Sequence, residues 1–372
     1  MKIALVTIQN ANNYGALLQL FATQHILKKF GSVEVVNYEN RHISRSFDLI
    51  RFKPSVHGIM GLCKDVLRVL PRRRAIKKFK SFIGRNVKLT KDFSFSQLMS
   101  GAAADYDVYV AGSDQIWNPT CVSDNSKIDP GYFLTFAENE KKLISYASSM
   151  GGYRYTEQQL SEVTAFLLRF DALSVREKDT KQYLERALNR KVEHVLDPTL
   201  LLERSEWLQL LPEHSSHAKE YGDYILLYTV PKSPLISATV RYIADKLKLK
   251  VVALDQGLTA GAKVNKQVRD AGPIDFIDWF SKAKFVVTDS FHGTCFAVNF
   301  EVPFVAVSPG VHSNRVKSLL DLIGLEDRMV SNLGDLANIE MDFSYEKAVA
   351  LLSVHRDNSI KYLERALNED GK

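Results

Sequence analysis

The segment Val286–Val287–Thr288–Asp289–Ser290–Phe291–His292–Gly293–Thr294 runs an apolar strand pattern straight into an acid, a hydroxyl, an imidazole and a glycine. Only histidine titrates naturally near neutral pH, so it is the usual proton donor or acceptor in catalysis. Nine histidines are present, but His292 alone stands at a strand end, beside a glycine and before a helical pattern. It is the candidate general acid. Asp289, three residues earlier, is a candidate base, and either role competes with simple orientation of a neighbour. The loop after the next strand, Ser308 to Arg315, ends in an arginine that could hold an anion or lie on the surface.

Four more strand ends carry polar, small residues. Gln9 to Ala16 includes Asn13, Tyr14 and Gly15 ahead of a helix, whose free N–H groups suit an anion. A capped loop without ligand is the alternative. Gly112 to Asn118 holds Ser113, Asp114, Gln115 and Trp117, which together suit a polyhydroxylated ligand. Against that, Trp117 could anchor a core and Asp114 cap a helix. Tyr146 to Gly151 adds Ser148 and Ser149. In Ser174–Val175–Arg176–Glu177, Arg176 reads as a fork for carboxylate or phosphate, or as one side of a salt bridge to Glu177 or Asp179.

These clusters need elements to carry them. Short apolar strands at Ile3–Ile8, Val33–Tyr38, Val108–Ala111 and Leu143–Tyr146 alternate with longer helical patterns such as Leu17–Phe30 and Glu157–Phe170. Strand patterns follow near Ala172–Val175 and at Lys191–Val195, with a helix at Thr180–Leu188 between them. A polar stretch, residues 203–222, reads as a linker. The alternation then restarts, with strands Tyr224–Tyr228, Val251–Leu254, Phe285–Thr288 and Phe304–Val307 and helices Leu235–Leu247, Ile274–Ser281, Thr294–Phe300 and Val316–Ile323. A closing helix, Tyr345–Leu367, could return to the first domain. The expectation is an α/β protein of two Rossmann-like domains, 1–202 and 223–372, facing a cleft. The heptapeptide YLERALN occurs at Tyr183–Asn189 and Tyr362–Asn368 in unrelated surroundings, and reads as two surface helices.

Composition is that of an ordinary globular protein: 45% hydrophobic and 25% charged over 372 residues. Between Lys64 and Asp92 eleven cations face two carboxylates, a net +9, which leaves −3 for the rest of a chain at +6. This basic insertion, interleaved with Val66, Leu67, Val69, Leu70, Ile76, Phe79, Phe82 and Ile83, could dock on an anionic membrane or form a solvated helix pair. Nucleic acid is not the expected partner, because the remaining chain is acidic and shows no recognition motif. Cys63, Cys121 and Cys295 are scattered, with no CxxC pair. That argues against a disulfide framework or zinc site and suggests a cytoplasmic protein that could sit peripherally at the inner membrane face. No run of 18 apolar residues exists, and MKIALVTIQN reads as a buried strand, not a leader. Neither GxGxxG after the first strand nor a P-loop appears, and no cofactor is expected.

Six segments, NNYGALLQ, GSDQIWN, SYASSMG, SVREKDT, VLDPTLLL and GPIDFIDWFSKAKFVVTDSFHGTCFAV, occur in that order between Asn12 and Leu325. Together they resemble the polysaccharide pyruvyl transferase family. The resemblance implies a glycosyltransferase-B-like protein that uses phosphoenolpyruvate as co-substrate to place a pyruvate ketal on a glycan or lipid-linked sugar. The acceptor would lie on the N-terminal domain and the donor on the C-terminal one. It puts weight on Arg176 and His292, and on a basic residue about twenty positions later, for which Arg315 stands nearest. Implied donor-site residues are then Arg176, Arg315, Phe291 and Gly293. Catalytic candidates are His292, Asp289 and Asp114. The acceptor set is Asn13, Tyr14, Gly15, Ser113, Gln115, Trp117, Ser148 and Ser149. Two other functions stay open: a nucleotide-sugar glycosyltransferase of the same architecture, and a non-catalytic protein that binds glycan or lipid phosphate.

Overall fold

Short runs of apolar residues become interior strands buried on both faces, and the chain returns between them through helices, so among the described residues the strand pairings are parallel. The computed structural model describes residues 1–49, 56–213, 218, 221–310 and 313–368, with only the backbone path given for 56–67. Two units emerge. The first comprises Met1–Ser46, Gly84–Leu201 and Ser353–Lys372, and the second Phe47–Ile83 and Leu202–Leu352.

In the first unit the strands are β1 (Lys2–Val6), β2 (Ser32–Tyr38), β3 (Leu89–Phe93), β4 (Val108–Ala111) and β5 (Lys142–Ser145). Their order is β3-β2-β1-β4-β5, so the direction of winding reverses between β1 and β4. Two short strands, β6 (Ser174–Val175) and β7 (Glu193–His194), pair with each other. Single bridges from Ile144 to Ala172 and from Ser148 to Val175 tie them to the end of β5. The C-terminal part of the helix Glu346–Asn368 belongs to this unit. Its Tyr362 hydroxyl donates to the Ser145 carbonyl, and the Ser359 hydroxyl accepts from the Leu196 N–H. The second YLERALN copy therefore faces inward, with Tyr362, Leu363 and Leu367 buried, which corrects the expectation of a surface helix.

The second unit carries β8 (Tyr224–Tyr228), β9 (Lys250–Leu254), β10 (Lys266–Val268), β11 (Phe285–Thr288), β12 (Phe304–Val307) and β13 (Met329–Val330). The order is β10-β9-β8-β11-β12-β13, with its reversal between β8 and β11. Tyr228, Phe276, Phe280 and Phe296 form an aromatic cluster under the sheet, and Trp207 meets Phe296 edge-on at 5.0 Å. Trp207 lies in the helix Arg204–Leu208, within the stretch read as linker, and is fully buried.

The basic insertion is one helix, Val56–Asn86, followed by β3, not a helix pair. Lys64, Val66 and Leu67 lie outside the described side chains. Farther along, Ala75, Ile76, Phe79, Phe82 and Ile83 are buried while Leu70, Arg73, Lys77 and Lys80 are exposed.

Candidate functional site

In open parallel sheets ligands bind beyond the carboxyl ends of the strands, where the winding reverses. Each unit has one such place, and the sequence-selected residues gather at both.

In the second unit, Thr288 ends β11, and its hydroxyl donates to the Tyr228 carbonyl at 2.6 Å. Asp289 follows. Its two carboxylate oxygens accept from the N–H groups of Val230 and Ser233, at 2.8 and 2.7 Å. The carboxylate thus laces the loop after β8 to the end of β11. Burial raises its pKa, against the opposing pull of backbone donors from Ser233, Val230 and Lys232. With both oxygens engaged, Asp289 orients the loop.

Ser290 caps the helix Phe291–Asn299, its hydroxyl accepting from the Gly293 N–H. The helix starts three residues before the sequence pattern indicated, because this cap and Gly293 let it begin directly at the strand. A Cβ on Gly293 would stand 2.2 Å from Thr288 Oγ1 and 3.0 Å from Tyr228 Cδ1, so only glycine permits that approach. His292 accordingly lies inside the first helical turn and is 7% exposed. The Phe291 and His292 rings meet edge-on, 5.2 Å between centroids. After β12 the chain enters the helix Asn314–Ile323, which brings the Arg315 guanidinium to 5.7 Å from the Phe291 centroid. The structure therefore groups His292, Phe291 and Arg315, contributed by two successive strand-to-helix connections. His312, in the same loop, lies outside the described residues.

In the first unit the reversal lies between β1 and β4. Asn13 caps the helix Tyr14–Leu27 by accepting from Ala16 N–H, with Tyr14 and Gly15 buried in its first turn. After β4, Asp114 adopts a left-handed backbone (φ 75°), uncommon outside glycine. Its Oδ1 accepts from Gln115 N–H at 2.9 Å and from Arg176 at 3.2 Å.

Arg176 is enclosed, its side chain 1% exposed. It donates to Asp197 at 2.6 Å, to Glu177 at 3.2 Å, to Asp114, and to the Ser113 hydroxyl at 3.3 Å. Burial alone would lower its pKa, but Asp197, Asp114 and Glu177 more than reverse this and raise it. One guanidinium among three carboxylates leaves a local excess of negative charge around Arg176. The salt-bridge alternative holds for Glu177, whereas Asp179 pairs with Arg154.

Other first-unit candidates are built into the interior. The Trp117 indole donates to the Tyr132 carbonyl, stacks on Phe133 and meets Phe170 edge-on. Protein rings occupy its faces, so it is a core anchor. Ser148 donates to the Gly112 carbonyl and Ser149 to Glu177, both fully buried. Gln115 receives the Asn118 amide, and Gly151 (φ 58°) approaches its side chain where no Cβ would fit.

Two participants escaped the sequence reading. Asp197 carries the signature of a local turn, accepting from Thr199 N–H and hydroxyl. Nothing local reveals its pairing with Arg176. Tyr132 is fully buried, and its hydroxyl has no hydrogen-bond partner among the described residues. Among the described residues no group of His, Cys, Asp and Glu could hold a metal ion.

The polysaccharide pyruvyl transferase family model matches residues 13–310. A search of curated protein sequences gives no match. Among solved structures, S. aureus MnaA with UDP aligns at a TM-score of 0.53 and 12% identity, over 99% of this chain and 96% of that one. The UDP-GlcNAc 2-epimerase from Neisseria meningitidis, bound to UDP-GlcNAc, aligns at 0.51 and 10% identity over the full length of both chains. At such identities the likeness concerns the fold, which is α/β and GT-B-like.

Proposed function

The chain belongs to the polysaccharide pyruvyl transferase family, and from that premise we propose that it transfers pyruvate from phosphoenolpyruvate to a hydroxyl pair of a sugar. The acceptor is a cell-surface polysaccharide or its lipid-linked precursor. One observation carries the reading: His292 and Arg315 are gathered on the Phe291 ring at the start of the helix Phe291–Asn299.

The donor bears a carboxylate and a phosphate, and needs an anion site beside a proton donor. Arg315 and the N–H groups of the helix start supply the first. His292 supplies the second by delivering a proton to the methylene carbon. A sugar hydroxyl then adds to the electron-poor central carbon and loses its proton. Phosphate leaves as its C–O bond breaks, and a second hydroxyl closes the ketal, losing its proton in turn. Atoms balance without water or an oxidant. Arg176 is left out of this donor site, since its charge is already spent on three carboxylates.

The test is phosphate release from phosphoenolpyruvate with a panel of sugars, glycosides and lipid-linked sugars, wild type beside His292→Ala. Acceptor-dependent release that falls about 10²- to 10⁴-fold in the variant supports the reading. Absence of release, with no phosphoenolpyruvate binding by calorimetry, overturns it. Competition by UDP would then bring nucleotide-sugar transfer forward.

A further inference from the structure

We infer that Asp114 is a sugar-hydroxyl ligand in the first unit and that Arg176 is the residue that positions it. The inference rests on the pyruvyl-transfer reading only in taking the ligand to be the sugar acceptor.

Four observations converge on Asp114. It sits just beyond β4, on one side of the point where the winding reverses. Its backbone is held left-handed, a conformation that costs energy and survives where surrounding structure enforces it. The enforcement is visible: Ser149 N–H and Ile116 N–H both donate to its carbonyl, and Arg176 and Gln115 N–H both hold Oδ1. The carboxylate is therefore fixed by one oxygen. No donor among the described residues reaches Oδ2, and the side chain keeps 12% exposure while Arg176 has 1%.

A fixed carboxylate with one oxygen open accepts a hydrogen bond from a hydroxyl, which is how acidic side chains hold sugars.

Arg176 acts through Asp114. Its planar fork addresses Asp197, Glu177, Ser113 and Asp114 from one fixed position, which a lysine's single ammonium does not reproduce. This accounts for a buried arginine at a strand end where the sequence left an anion fork and a salt bridge both open.

The experiment compares wild type, Asp114→Asn and Arg176→Lys. Binding of the methyl glycosides of glucose, galactose, mannose and N-acetylglucosamine is followed by saturation-transfer NMR, and phosphoenolpyruvate affinity by calorimetry. Asp114→Asn changes a partly exposed group with little volume change, so it keeps the test alive if Arg176→Lys fails to fold. The expected result is glycoside binding weakened about 10-fold or more in Asp114→Asn and Arg176→Lys, with phosphoenolpyruvate affinity unchanged within 2-fold. Equal glycoside binding in wild type and Asp114→Asn overturns the inference, as does a wild type that binds none of the glycosides. A selective loss of phosphoenolpyruvate affinity in Arg176→Lys also overturns it, by returning the arginine to the donor. If wild type binds glycosides but not phosphoenolpyruvate, the donor reading fails while this one stands.

Discussion

The Arg315 guanidinium lies 5.7 Å from the centroid of the Phe291 ring, whose edge-on neighbour at 5.2 Å is the His292 imidazole. One aromatic side chain thus sets the position of both a cation and a titratable ring. A cation over an aromatic face is worth about 0.5–2 kcal/mol.

Phe291→Leu should therefore weaken phosphoenolpyruvate binding by about 2- to 30-fold. Phe291→Tyr, which preserves the ring, should remain within about 2-fold of wild type. Calorimetry on the two variants checks both statements. Equal loss in both would mean that the ring is not the platform.

His194 provides a pH signature. Burial lowers its pKa below the usual 6.5, helped by His355, Lys181 and Lys178 and opposed by its bond to the Arg176 carbonyl. Between the lowered folded value and 6.5 the unfolded chain binds more protons, so stability falls as pH drops through that window. Urea midpoints of wild type and His194→Gln should converge near pH 7.5 and separate below pH 6.5. The variant should lose less, by about 1.4 kcal/mol for each unit of depression. Parallel curves would exclude the histidine as the source.

Arg73, Lys77 and Lys80 recur at helical spacing with the 67%-exposed Leu70, opposite the buried Ile76 and Phe79. Neighbouring Arg74 and Lys78 are drawn to Asp270 and Asp275. If this face meets an anionic membrane, each cation contributes about 1 kcal/mol. The triple change to serine should then lower binding to phosphatidylglycerol-containing vesicles on the order of 10²-fold. Sedimentation at low and high salt measures it. Salt-insensitive binding, or no binding by wild type, would leave the face simply solvated.

The interior strands were legible because burial on both faces forces continuous apolar runs: Val108–Ala111, Tyr224–Tyr228, Phe285–Thr288 and Phe304–Val307 stand where the pattern put them. The edge strands β3 (LTKDF) and β10 (KQV) were not, since an edge is half wet and its residues are mixed. β13, only two residues long, is too short to show a period. The grouping of His292 and Arg315 around Phe291 was legible because strand end, glycine and helix start are local features. Trp117 and Arg176 read differently once folded, because their partners Phe170 and Asp197 lie 53 and 21 residues away. Residue type announces chemical capacity; only the packing says which neighbour has already used it.

The discontinuity of the first unit has a consequence for biosynthesis. Its β5 end and the Leu196 N–H wait for Tyr362 and Ser359. Those residues leave the ribosome only after roughly 150 intervening residues of the second unit, a delay of about 8–30 s at ordinary elongation rates. For that interval the nascent sheet stands without its final helix, its Ser145 carbonyl still open to other donors. The second unit is the one that can finish first, although it is synthesised later. Vectorial synthesis and order of completion run in opposite directions in this chain, and a chaperone would meet the N-terminal sheet as its longest-lived unfinished surface.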